Sequence, residues 1–133
     1  MDTMKALSVT RTWAWLLVHG FKDVENRTWY TNHRGPLLIH ASKTNDREDW
    51  RRLQRWLQRR GVHVPDYDAI PFGAIVGQVT VFACDRTVSS DWHNPGQYGW
   101  YVRDAAPFHT PVPYRGRLQL FNVPLDAVPE ART

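Results

Sequence analysis

An α+β domain is predicted for this chain, with five to six short strands forming a strongly curved sheet or closed β-barrel and two main helices flanking it. Three observations predict it. Short runs of β-branched and aromatic residues recur between clusters of Gly, Pro, Asn and Asp. Two segments instead repeat their apolar residues at helical spacing. A length of 133 residues with 42% hydrophobic content supplies one core, so a single domain over residues 1–133 is expected.

"KALSV" at residues 5–9 opens the chain as a strand. Thr12 then caps a helix over residues 13–19 that Gly20 closes, with Trp13, Leu16 and Leu17 as its buried stripe. Trp15 and His19, four apart, share another face. "VENRTWY" (24–30) reads as a strand, "TNHRGP" (31–36) as a turn and "LLIHA" (37–41) as a returning strand, together a β-hairpin with an extended loop. Over residues 45–60, Asn45 and Glu48 form a capping arrangement, Trp50, Leu53 and Leu57 mark the buried stripe, and Gly61 ends the helix. Its opposite side carries Arg51, Arg52, Arg55 and Arg59, a pattern more typical of a solvated face than of a phosphate-binding one.

"AIVGQVTVFACD" (74–85) is a long strand on which Ile75, Val79 and Val81 face one way and Gln78 and Thr80 the other. After a loop at 86–97 come the strand "YGWYV" (98–102), a proline-rich excursion over residues 107–116, and "RLQLFNV" (117–123) as the last strand. Residues 124–133, which include Pro124 and Pro129, are expected to form a loose tail.

Composition narrows the function classes. The longest apolar run, "WAWLLV" (13–18), falls far below the roughly 18–20 residues of a bilayer span, and no charged-then-apolar leader opens the sequence, so no membrane partner is expected. The one cysteine, Cys84, excludes a disulfide within the chain and a cysteine-based zinc site, and reads as a buried structural thiol in a reducing cytoplasm. None of the six histidines has ligand-pair spacing, and no Gly-rich phosphate loop is present. Neither a metal nor a cofactor is therefore expected. The net charge is +4, with 14 Arg against 3 Lys. Guanidinium forks suit phosphate, although GC-rich coding would give the same bias.

The stretch "HGFKDVENRTW" (19–29) concentrates charge beside an apolar run. Strand periodicity places Glu25, Arg27 and Trp29 on one face, with Lys22 entering just before. A carboxylate, cations and an indole on one surface can accept from base amino groups, hold phosphate and stack a base. A surface salt bridge beside a half-exposed tryptophan accounts for the same residues equally well.

Residues 6–43, "ALSVTRTWAWLLVHGFKDVENRTWYTNHRGPLLIHASK", closely resemble the activating signal cointegrator homology (ASCH) domain, including its Gly-x-Lys-x-x-Glu-x-Arg signature at Gly20, Lys22, Glu25 and Arg27. The resemblance continues through "GAIVGQVTV" (73–81), "YGWYV" and "PVPYRGRLQLFNVP" (111–124), which implies a stand-alone ASCH protein. It implies a PUA-like β-barrel related to modules that bind RNA or read modified and flipped bases. Lys22, Glu25 and Arg27 would line the cleft with Trp13 and Ala14 at the helix start, and by the same resemblance Ser42, Lys43, Tyr98 and Trp100 join them. Trp29 and Arg34, the aromatic and basic side chains beside this strand, complete the candidate nucleic-acid-binding set.

Two departures from the family pattern stand out. Arg11 and Thr12 replace the Gln-Pro that opens this helix in many members. A small ASCH-like group resembles amidohydrolases that deacetylate acetylcytidine with a Lys, a Thr and a Glu. Lys22 matches their lysine, but Glu25 stands in the threonine position and their glutamate has no assigned counterpart. The expected function is a module that binds RNA or single-stranded nucleic acid through a basic cleft accepting a base. The alternative is a small enzyme, an acetylcytidine-type amidohydrolase or a ribonuclease, with Lys22 as general base or as stabiliser of developing negative charge and Glu25 as proton carrier. A protein adaptor is the third reading, resting on the family's occurrence inside larger regulatory proteins.

Overall fold

Apolar spacing sets the two helices. In α1 (Arg11–Val18), Ala14, Leu16, Leu17 and Val18 are buried, and in α2 (Arg47–Gln58), Trp50, Leu53 and Leu57 are buried while Arg51, Arg52, Arg55 and Arg59 stay exposed. Burial of Leu53 and Leu57 contributes about 1.5–3 kcal/mol each. The computed structural model describes residues 2–87 and 89–133. Its strands are β1 (Thr3–Val9), β2 (Val24–Arg27), β3 (Gly35–Ala41), β4 (Ala74–Asp85), β5 (Tyr98–Pro113) and β6 (Leu120–Pro124), with short 3-10 turns at Tyr67–Ala69 and Leu125–Ala127. No helix among the described residues is long and apolar enough to cross a membrane.

The six strands make one mixed sheet in the order β2-β5-β4-β3-β1-β6, with β1 and β3 parallel and the other pairs antiparallel. The expected barrel is not present: the sheet is open, and its edges β2 and β6 share no ladder. Strand β2 is only four residues long and is occupied along one side by β5. A side chain reaches from β2 toward β1 instead, as Arg27 Nη2 donates to the Ser8 carbonyl at 2.9 Å.

The expected hairpin of β2 and β3 is also absent. Residues 37–41 are all buried, and such a run requires a neighbour on each side, which β1 and β4 supply. Strand β2 pairs with β5, setting Glu25 opposite Trp100 and Arg27 opposite Tyr98.

Strand β4 has the predicted bounds but not the predicted single apolar face. The register shifts between Ile75 and Gly77, so the alternation changes phase. Ile75 consequently packs with Met4, Leu38, Phe121 and Val123, whereas Val79 and Val81 pack on the opposite side with Leu7, Leu17, Leu37 and Trp100. Strand β5 absorbs much of the expected proline-rich excursion and runs for 16 residues.

Helix α1 covers the Val79 side of the sheet, and a third cluster around Leu16, Trp50 and Leu57 joins α1 to α2. The expected Thr12 cap belongs to another residue: Thr12 lies inside α1, and its N–H donates to the Asp46 carboxylate at 2.8 Å. Asp46 also accepts from the Tyr67 hydroxyl at 2.9 Å, so one acid ties both helices to the 67–69 turn. The segment expected to hang loose after residue 124 is docked. Val128 is buried, Gln78 bonds both the N–H and the carbonyl of Arg132 at 2.8 Å, and Glu130 accepts from the N–H groups of His109 and Thr110.

Candidate functional site

The charges of the 19–29 stretch form a partly buried triad. Glu25 Oε2 accepts from Arg27 Nε at 2.9 Å, and Glu25 Oε1 lies 3.4 Å from Lys22 Nζ. Lys22 and Glu25 are 6% and 7% exposed, so this is not the solvated surface pair that the residues alone allowed. Strand alternation puts Glu25 and Arg27 on one side, while Gly20, with φ +79°, lets the chain turn out of α1 and bring Lys22 back toward them. The Lys22 ammonium also sits 4.8 Å from the centre of the Trp13 ring.

A recess of about 250 Å³ opens onto this triad, lined by Trp13, Lys22, Glu25 and Asn26 together with Asp91, Trp92 and Asn94 of the 86–97 loop. Trp92 packs edge-on against Trp13 and Trp56, with centroid separations of 6.5 and 5.1 Å. Asn26 pins the loop by donating to the Trp92 carbonyl and accepting from the Asn94 N–H. Lys22 therefore lies under an aromatic cover rather than on an open face.

Arg27 links this recess to a second, larger cleft of about 960 Å³. Arg27 from β2, Lys43 after β3, and Arg115 and Arg117 between β5 and β6 contribute four cations to its lining, and no carboxylate lines it among the described residues. Ser8, His40, Ser42, Tyr114 and Gln119 add uncharged polar groups to the lining. Lys43 is held by packing along Gly73, where a Cβ would come within 3.0 Å of Lys43 Cε. His40 bonds Ser8 Oγ through Nδ1 at 2.9 Å and the Tyr114 carbonyl through Nε2 at 2.7 Å. Burial lowers its pKa below the ordinary histidine value, and the Tyr114 hydrogen bond offsets part of that shift.

The other anticipated residues lie elsewhere. Trp100 is fully buried and meets Trp29 edge-on at 4.8 Å, so these two indoles pack against each other in and beside the core. Tyr98 packs against Tyr30 and beneath the Arg86 guanidinium. Arg34 is spent on the carbonyls of Thr31 and His33 and on the Tyr30 hydroxyl. The structure thus gathers Arg27, Ser42 and Lys43 in one cleft and Trp13, Lys22 and Glu25 in the adjoining recess.

Sequence reading missed Ser8, His40, Arg115, Arg117, Asn26 and Trp92 as members of these sites. "YRGR" at residues 114–117 carried a charge signal for the two arginines. Ser8 and His40 had none, because their meeting depends on the parallel pairing of β1 and β3.

The mixed sheet, the helix packed across one side and the Lys-Glu-Arg triad at the β2 edge define an α+β domain of the PUA-like class, a class generally associated with nucleic-acid binding. Residues 7–112 match the family model of the ASCH domain, and the chain belongs to that family. Human activating signal cointegrator 1 is 43% identical to this chain over 83 residues, and the mouse protein is 42% identical over the same length. Each match covers 59% of this chain but spans only 14% of the curated relative's length. Crystal structures of two ZmASCH mutant proteins from Zymomonas mobilis, a Tyr-to-Phe and a Ser-to-Ala variant, share the fold. Their TM-scores are 0.59 and 0.58 at 12% identity, covering 97% and 96% of this chain and 96% and 92% of theirs.

Proposed function

We propose that this chain is a single nucleic-acid-binding domain over residues 1–133, acting on RNA or single-stranded nucleic acid through a basic cleft that accepts a base. One observation carries the reading: four cations and no carboxylate line a cleft of about 960 Å³ among the described residues, at the upper end of the roughly 300–1,000 Å³ typical of ligand pockets. Arg27, Lys43, Arg115 and Arg117 hold backbone phosphate, and Ser42 supplies a neutral hydrogen-bonding group. Glu25 keeps the Arg27 guanidinium in place, with Lys22 and Trp13 supporting it from behind. The anticipated roles of Trp29, Arg34, Tyr98 and Trp100 shift to supporting the β2–β5 edge. A cytoplasmic setting belongs to the same reading, in keeping with the free thiol of Cys84.

Fluorescence anisotropy with labelled single-stranded RNA, single-stranded DNA and duplex tests it. Arg27→Ala and Arg117→Ala each weaken single-strand binding by about 1.5–3 kcal/mol if they make charge-assisted contacts. Unchanged affinity in both variants removes the cleft from the account.

The burial of Lys22 and Glu25 in a recess of their own supports a second reading, a hydrolase acting on a nucleoside or an RNA strand. Mass spectrometry of incubations with RNA and with acetylcytidine separates the two. A product that disappears in Lys22→Ala makes the chain an enzyme, and its absence leaves a reader.

A further inference from the structure

Ser8 and His40 are register partners across the parallel β1–β3 pair, and their side chains meet on the wall of the large cleft. The hydrogen bonds around His40 fix its tautomer. A carbonyl oxygen only accepts, so the 2.7 Å bond to Tyr114 requires a proton on Nε2. In the neutral ring Nδ1 is then the acceptor, and the Ser8 hydroxyl donates to it at 2.9 Å. Burial favours that neutral form. A hydroxyl bonded to a neutral imidazole whose far nitrogen is oriented by a third group is the arrangement that activates a serine nucleophile.

The surroundings suit chemistry on an anionic molecule. Ser8 is partly exposed, so its oxygen is not sealed in the core. Gly116 brings bare backbone against the pair: a Cβ there would fall 2.7 Å from His40 Cε1 and 3.0 Å from Ser8 Oγ. Arg27, Lys43, Arg115 and Arg117 line the same cleft.

We propose that Ser8 and His40 form a nucleophile–base dyad that hydrolyses a carboxylic ester whose alcohol carries phosphate. The proposal rests on the reading of the cleft as a site for phosphate-bearing ligands. Ser8 Oγ attacks the ester carbonyl carbon while its proton passes to His40 Nδ1, and the oxyanion forms in the field of the four cations. Collapse breaks the bond to the alcohol oxygen, which takes the proton from Nδ1 and leaves. Water then attacks the acyl-serine and gives a proton to Nδ1. The acid departs as Ser8 Oγ recovers that proton. The net reaction converts ester and water to carboxylic acid and phosphorylated alcohol.

Two measurements on the full chain test this. Intact-mass spectrometry after incubation with a fluorophosphonate, which loses fluoride on capture by an activated serine, yields one adduct that maps to Ser8. The adduct is absent in Ser8→Ala and forms about a hundredfold or more slowly in His40→Gln, with circular dichroism confirming that both variants fold. No adduct on the folded protein, or an adduct that persists in Ser8→Ala, overturns the dyad. Because this probe carries no nucleic acid, that failure is distinct from a failure of strand binding. Turnover is then followed with adenosine monophosphate acetylated on its ribose and with an oligoribonucleotide acetylated on its 3′-terminal ribose. Hydrolysis of the first alone assigns free nucleotide esters, and hydrolysis of the second assigns strand ends. Labelling of Ser8 with turnover of neither overturns the substrate class.

Discussion

Glu25 shares one carboxylate between two cations, with Arg27 on one oxygen and Lys22 on the other. Removing a partner from a buried ion pair is far more costly than forming the pair is favourable, because the remaining charge stays desolvated. Glu25→Ala strands both Lys22 and Arg27 and is expected to destabilise the fold by about 3–5 kcal/mol. Lys22→Met leaves Glu25 paired with Arg27 and costs less. Urea denaturation of the two variants checks the order, and a larger loss in Lys22→Met would show that the ammonium, not the carboxylate, organises the triad. Part of this was legible at the level of single residues. Alternation along a strand is local, so the shared side of Glu25 and Arg27 followed from spacing alone. The burial of Lys22 did not, since Trp92, 70 positions away, helps to cover it. Ser8 and His40 lay further out of reach, because no local pattern brings together residues 32 apart on parallel strands.

At the scale of elements, what could be read was whatever a short window determines. The bounds of β4 and the buried stripe of α2 are set by neighbouring residues, and both stand as expected. Pairing is not local, so the adjacent β2 and β3 invited a hairpin that the buried run of β3 excludes. The tail shows the same limit. Proline-rich composition suggests fraying, yet Gln78 offers its amide from a β4 position whose orientation follows a bulge. Gln78→Ala removes both bonds to the Arg132 backbone and leaves a part-buried N–H and carbonyl to find water. The expected cost is about 1–3 kcal/mol, with amide hydrogen exchange accelerated over residues 125–132 ahead of the rest of the chain. Exchange that stays slow there would mean that Val128 and the Glu130 contacts hold the segment without Gln78.

Charge is decided by the whole molecule. Seventeen basic residues against 13 acidic ones give a modest excess, and the fold distributes it unevenly. On α2, Arg51 is paired with Glu48 and Arg52 with Asp49, so much of that arginine face is internally compensated. The large cleft gathers cations without acids on its lining among the described residues, although they come from three separate parts of the chain. The open sheet makes this possible: β2 meets β1 through the Arg27 side chain rather than a backbone ladder, which leaves the ends of β1 and β3 facing the 114–119 segment. Single-strand binding that engages all four cleft cations should follow a slope of about −3 in log K against log salt, at roughly −0.7 per phosphate neutralised. Arg115→Ala and Arg117→Ala should each make that slope shallower by about 0.7. Arg51→Ala and Arg55→Ala serve as the comparison, since they remove the same charge from the helix face. If the helix variants flatten the slope and the cleft variants leave it unchanged, the strand runs along α2 and the cleft serves some other ligand. If only the cleft variants flatten it, the position of the charges governs binding and their total number does not.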